Sequence, residues 1–115
     1  MDFEFNEIQR NVRSMIKDFV DREVRPIAME YEHEDKYPMP IVKKMKELGI
    51  FGFTIPEEYG GSGMDEVCYA IAMEELSVGW MSVAGILGTH MMTAWMLLHH
   101  GTEEQKNTYL PKMAT

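Results

Sequence analysis

The sequence predicts a small all-α domain, about five helices packed around a buried central helix, and three observations carry that prediction. Every long segment between glycine and proline marks repeats its apolar residues with helical spacing, no segment alternates as a half-buried strand would, and capping residues stand at the segment starts. The 115 residues are 45% apolar and 26% charged, with a mean hydropathy of −0.27, the makeup of one globular unit that folds in water.

The first helix is expected from Asn6, which can cap reciprocally with Gln9, and its stripe is Ile8, Val12, Met15, Ile16, Phe19, Val20 and Ile27. Pro26 removes an amide and crowds the preceding turn, yet Ile27, Ala28 and Tyr31 continue the stripe, so a kink with continuation is expected. A second helix starts near Pro40, turns Lys43, Lys44 and Lys46 outward and stops at Gly49, where a left-handed cap suits glycine. Residues 49–63 are too punctuated for a helix but carry enough apolar side chains to form an ordered connector. Asp65 caps a third helix that runs to Val78, and Thr102 with Gln105 forms a capping box for a fifth that runs toward Met113.

The fourth helix, Val78 to Leu98, contains no Asp, Glu, Lys or Arg and is apolar all round, so burial on every side is expected. It is long enough for a membrane span. Ser82, Gly85, Gly88, Thr89, His90 and Thr93 dilute it, and no aromatic or basic belt flanks it, so a central helix sheathed by its neighbours is the expectation and a span is not.

Charge and cysteine content exclude several functions. Eleven basic against nineteen acidic residues leave a net charge of −8, which works against nucleic-acid binding. Cys68 is the only cysteine, so neither an intrachain disulfide nor a thiolate metal cage can form, and a buried, inert thiol is expected. The four histidines do not assemble with ligand spacing; His99 or His100 is expected to cap carbonyls before Gly101. The acidic start Met1-Asp2-Phe3-Glu4 has neither a basic leader nor an apolar stretch, and a cytoplasmic chain is the expectation.

Three constellations invite a chemical reading. Ala84, Gly85, Gly88, Thr89 and Thr93 place small side chains along one strip of the fourth helix, which serves either close packing against a neighbour or a groove for an elongated apolar ligand. Gly60-Gly61-Ser62-Gly63 precedes a helix as a phosphate-cradling loop does, but without lysine or strand and with Asp65 and Glu66 adjacent it reads as a reversal turn. Glu74 and Glu75 point about 100° apart on a helix and do not converge as an acid–base pair; one is expected to make a structural hydrogen bond and the other to face water. Among the twelve methionines, Met91, Met92 and Met96 lie with Trp95 on the fourth helix, where ordinary core packing is the expectation and an adaptable pocket the alternative.

Residues also carry a resemblance. Leu48-Gly49-Ile50-Phe51-Gly52 leads to Ile55-Pro56-Glu57-Glu58-Tyr59-Gly60-Gly61-Ser62-Gly63, followed by Ala72-Met73-Glu74-Glu75-Leu76-Ser77. His100-Gly101-Thr102-Glu103-Glu104-Gln105-Lys106 and Tyr109-Leu110-Pro111 complete the series, after a helix containing Glu23-Val24-Arg25-Pro26. In this order the blocks resemble the N-terminal helical domain of acyl-CoA dehydrogenases over essentially residues 1–115. The resemblance implies a parent flavoprotein that oxidises acyl-CoA thioesters to trans-2-enoyl-CoA in fatty acid metabolism, passing electrons to an electron-transfer flavoprotein and assembling as a dimer or tetramer. Acyl-CoA oxidases and flavin monooxygenases share the domain. The resemblance further implies that FAD and the catalytic carboxylate belong to a middle β-domain and a C-terminal helical domain not present in this chain. It gives no catalytic residue, no cofactor-binding residue and no metal ligand here, and it assigns Ala84, Gly85, Gly88, Thr89 and Met92 to the wall of the acyl-chain pocket. Alone, the chain is expected to be inactive, to bind no FAD and to self-associate. A free-standing helical module that binds an acyl chain or a partner protein is the alternative.

Overall fold

The computed structural model describes residues 1–115 and is all helix and connection. Its elements are α1 (Glu7–Phe19), a π-helical turn (Val20–Val24), α2 (Arg25–His33), α3 (Met39–Glu47), two short 3₁₀ turns, α4 (Glu66–His100) and α5 (Glu103–Met113). The expected capping residues all act. Asn6 and Gln9 exchange hydrogen bonds of 2.9 and 3.0 Å, Thr102 and Gln105 exchange bonds of 3.1 and 2.9 Å, and Asp65 accepts from the Cys68 amide at 2.8 Å. That amide bond, above all, holds the Asp65 carboxyl below its ordinary range.

The kink at Pro26 takes the form of the π turn. The Arg25 amide bonds to the Val20 carbonyl, five residues back, and the widened turn accommodates the proline while α1 runs on into α2. Val12, Ile16, Phe19, Val20 and Val24 form the buried stripe. Ile8, placed on that stripe by spacing, is instead 60% exposed. Gln9 is buried in its stead and donates to Asp65 Oδ2 at 3.0 Å, because the first turn of α1 meets the polar start of α4 and not its apolar flank.

The helical stretch of α4 is two arms, as the division at Val78 predicts. Trp80 has extended backbone angles, φ −164° and ψ 108°, and there the chain reverses. Residues 81–100 fold back along residues 66–79, which brings Gly88 beside Met73 and Tyr69. Gly79 permits the reversal, since a Cβ there would stand 2.4 Å from Val20 Cγ1. Arg13 Nε donates to the buried Glu75 at 2.9 Å while Glu74 is exposed, so the carboxylates divide their roles as expected.

Burial of the 81–100 arm is one-sided. Val83, Ala84, Leu87, Met91 and Ala94 enter the core, but Met81, Met92, Trp95 and Met96 stay exposed, which corrects the expectation of burial all round. The surrounding helices supply cover for one face only, and α4 packs chiefly on α1, with smaller contacts to α5 and the π turn. The whole stretch Glu66–His100 is long and apolar enough for a membrane span, yet its inward face is core packing of the kind a central helix makes in a domain.

The connector is ordered. Gly49 (φ +72°) ends α3 as a left-handed cap, and Ile50, Phe51, Phe53 and Ile55 are buried. His90, which sequence reasoning left without a role, ties this connector to the end of α5. Its Nε2 lies 3.1 Å from the Phe51 carbonyl and 2.8 Å from that of Met113, so the Nε2–H tautomer donates to both.

Candidate functional site

The open face of the 81–100 arm is the candidate site. On it, Gly85 is exposed and a Cβ added there meets nothing within 4 Å. Close packing within this chain therefore does not explain this glycine. At Gly88 a Cβ would meet Met73 Cε at 3.3 Å and Tyr69 Oη at 3.8 Å, so the two arms are nearly in contact beneath this position. Thr89 Oγ1 donates to the Gly85 carbonyl at 2.6 Å and Thr93 Oγ1 to that of Thr89 at 3.0 Å. Both hydroxyls are satisfied within the helix, and the strip asks for no polar ligand. Met92 is 64% exposed and borders the same strip. Ala84 is the exception among the five predicted residues, because it points into the core beside Val83 and Leu87.

A cavity of about 320 Å³ adjoins the strip, lined by Thr54, Glu66, Tyr69, Met91, Met92, Trp95 and Met96. Sequence reasoning missed Thr54, Glu66 and Tyr69, since only the reversal at Trp80 brings Glu66 and Tyr69 opposite the second arm and only the packing of the connector brings Thr54 there. Met92 and Met96 leave the core expected for them and line this space, and unbranched thioethers can adapt their shape to a guest. Burial pushes the Tyr69 phenol above its ordinary value, so it remains a neutral hydroxyl at the cavity. Beyond it, the Trp95 and His99 rings stack at 4.1 Å and His99 Nδ1 bonds the Trp95 carbonyl at 2.9 Å, one turn back inside the helix and not at the terminal carbonyls where a histidine cap is expected.

No acid–base pair converges on the strip of Gly85, Gly88, Thr89 and Met92, and Glu66 is the one carboxylate that lines the adjoining cavity. Glu75 is held by Arg13, and Glu74 is on a different face. Nor does the glycine run fit a diphosphate. The amides of Gly61, Ser62, Gly63 and Met64 are all consumed by carbonyls of Pro56, Gly52, Ile55 and Phe53, at 2.7–3.2 Å. The glycine run is thus the reversal turn its sequence suggests and offers no phosphate cradle.

An all-α domain with a helical hairpin, a one-sided core and a small, apolar outer strip is what the geometry defines. The sequence profile described as acyl-CoA dehydrogenase, N-terminal domain, matches residues 6–115. The short-chain specific acyl-CoA dehydrogenase of Clostridium acetobutylicum is 43% identical over 115 residues, covering 99% of this chain and 30% of that protein. An acryloyl-CoA reductase (NADH) of Anaerotignum propionicum is 36% identical over 113 residues, covering 98% of this chain and 29% of the reductase. Among solved structures, butyryl-CoA dehydrogenase of Megasphaera elsdenii superposes with a TM-score of 0.92 at 31% identity, covering 99% of this chain and 31% of that one. The chain belongs to the acyl-CoA dehydrogenase family as its N-terminal domain, and it spans about 30% of the length of the curated relatives it matches.

Proposed function

We propose that this chain forms one wall of the acyl-chain pocket in a flavin-dependent acyl-CoA dehydrogenase that converts acyl-CoA thioesters to trans-2-enoyl-CoA. The open position at Gly85 is the observation that carries the reading: glycine stands there on a helix, at a cost of about 1 kcal/mol against alanine, where no neighbour in the chain requires it. In the parent protein FAD would supply the redox chemistry, and a middle β-domain and a C-terminal helical domain would hold it and provide the catalytic carboxylate. The residues of this chain have a different task. Gly85, Gly88, Thr89 and Met92 offer a surface without unpaired polar groups, against which an acyl tail is oriented and water is excluded.

An electron-transfer flavoprotein as the acceptor, a homo-oligomeric parent, a cytoplasmic location and a place in fatty acid metabolism complete the proposal. The likeness to an acryloyl-CoA reductase supports a second reading, in which the same wall serves hydride transfer in the reverse direction.

Gly85→Leu in the full-length flavoprotein tests the wall. The position is open, so the fold tolerates the side chain, which then occupies the strip. The ratio of kcat/KM for long against short acyl-CoAs should fall about tenfold, as a change of a methylene or two in an apolar pocket does. A chain-length profile unchanged by Gly85→Leu would remove this face from the pocket. Assaying with acyl-CoA and a dye acceptor, then with enoyl-CoA and NADH, separates the two directions.

A further inference from the structure

We infer that Glu32 is a positioning residue for the acyl-binding face: from α2 it latches the reversal of α4 and sets how the 81–100 arm presents Gly85 and Gly88. The inference rests on the functional reading above.

The second arm starts directly after Trp80, whose extended backbone occupies the cap position of a helix. An indole has no acceptor to offer the orphan amides of the first turn. Glu32 brings a carboxylate there from another element. Its Oε2 accepts the Trp80 Nε1 hydrogen bond and lies 3.5 Å from Ser82 Oγ, so negative charge sits at the positive end of the arm. The edge of Tyr31, the neighbouring residue, meets the Trp80 ring at 6.4 Å between centroids. Glu30, Glu34 and Asp35 make no such bond; within this acidic stretch only Glu32 reaches α4.

The pivot is pinned on its other side as well, since Gly79 lies against Val20 of the π turn. Gly85 and Gly88 stand five and eight residues beyond Trp80, about 8 and 12 Å along the helix axis. A swing of about 5° at the pivot therefore displaces Gly88 by about 1 Å, enough to alter how an acyl tail seats. α2, which contributes no residue to the cavity beside the strip, thereby governs the strip's aim.

The test compares wild type, Glu32→Ala and Glu32→Gln. In the 115-residue chain carrying Trp95→Phe, Trp80 is the sole tryptophan and reports the latch directly. Its emission should shift in Glu32→Ala and stay near wild type in Glu32→Gln, whose amide oxygen still accepts from the indole. In the full-length flavoprotein at equal flavin content, Glu32→Ala should change the long-to-short acyl-CoA ratio of kcat/KM about fivefold, chiefly through KM, and Glu32→Gln should restore most of it. Unshifted Trp80 emission in Glu32→Ala would overturn the latch. Shifted emission with an unchanged acyl profile in an active enzyme would overturn its positioning role while leaving the wall reading intact. A wild-type flavoprotein inert toward every acyl-CoA would overturn the wall reading itself, and the positioning role with it.

Discussion

Glycines on the two arms of α4 look alike in the sequence and have opposite physics. Gly79 is pressed against Val20, so Gly79→Ala gains helix propensity but must push a β-branched side chain inside a packed corner. Overpacking of this kind costs about 1–3 kcal/mol. Gly85→Ala meets open space and should stabilise the chain by about 0.5–1 kcal/mol. Urea midpoints moving in opposite directions for the two variants are the expected result; equal shifts would mean that the corner is not where the structure places it. Cys68 illustrates burial acting on chemistry. Burial, reinforced by Asp65, pushes its thiol from 9.0 up to about 11. The folded chain thus holds this proton more tightly than the unfolded chain. The resulting stability is fully present below pH 9 and disappears as the pH rises through about 11. Wild type should lose more stability than Cys68→Ala between those values, and native Cys68 should resist alkylation at pH 8 until urea is added.

At the scale of the element, what was legible from sequence was local chemistry. The capping boxes at Asn6/Gln9 and Thr102/Gln105, the Asp65 cap and the left-handed Gly49 each involve residues within three positions of one another, so no tertiary knowledge was needed to place them. Thr102→Ala should cost about 1 kcal/mol by leaving the Gln105 amide without its side-chain acceptor, read as a lowered thermal midpoint. Pro26 announced an irregularity, and the choice of a π turn over a sharp bend was made by the packing of Val20 and Val24 against Gly79. Trp80 carried no such signal. The sequence parts two helices at Val78, but a tryptophan between Gly79 and Met81 announces no reversal, and its extended backbone is sustained by contacts with Glu32 and Tyr31, which lie 48 and 49 residues earlier.

Across the whole molecule, a radius of gyration of 14.7 Å and extents of 42 × 39 × 21 Å describe a slab. A compact chain of this length has a radius of about 13 Å, so the fold spreads its helices in a layer. A layer can bury only one side of its central arm, which is why Met81, Met92, Trp95 and Met96 face outward. A contiguous apolar face of this sort drives association. The isolated chain should therefore self-associate with rising concentration, measured by light scattering. Substituting Met81 and Met96 by Glu should hold it monomeric, and a clean wild-type monomer at millimolar concentration would contradict the exposure of this face.

The sequence by itself determined the helices, their caps, the ordered connector, the division of α4 near Val78 and the family, because each is written in spacings of a few residues or in contiguous blocks. It also isolated the small strip at Gly85, Gly88 and Thr89. Only the tertiary structure decided that Ala84 leaves that strip for the core, that Tyr69 and Glu66 join the cavity beside it, and that the uniformly apolar arm is buried on one face alone. Those outcomes depend on which element covers which side after the reversal at Trp80. A hydrophobic pattern without a polar face contains no phase from which that side could be read.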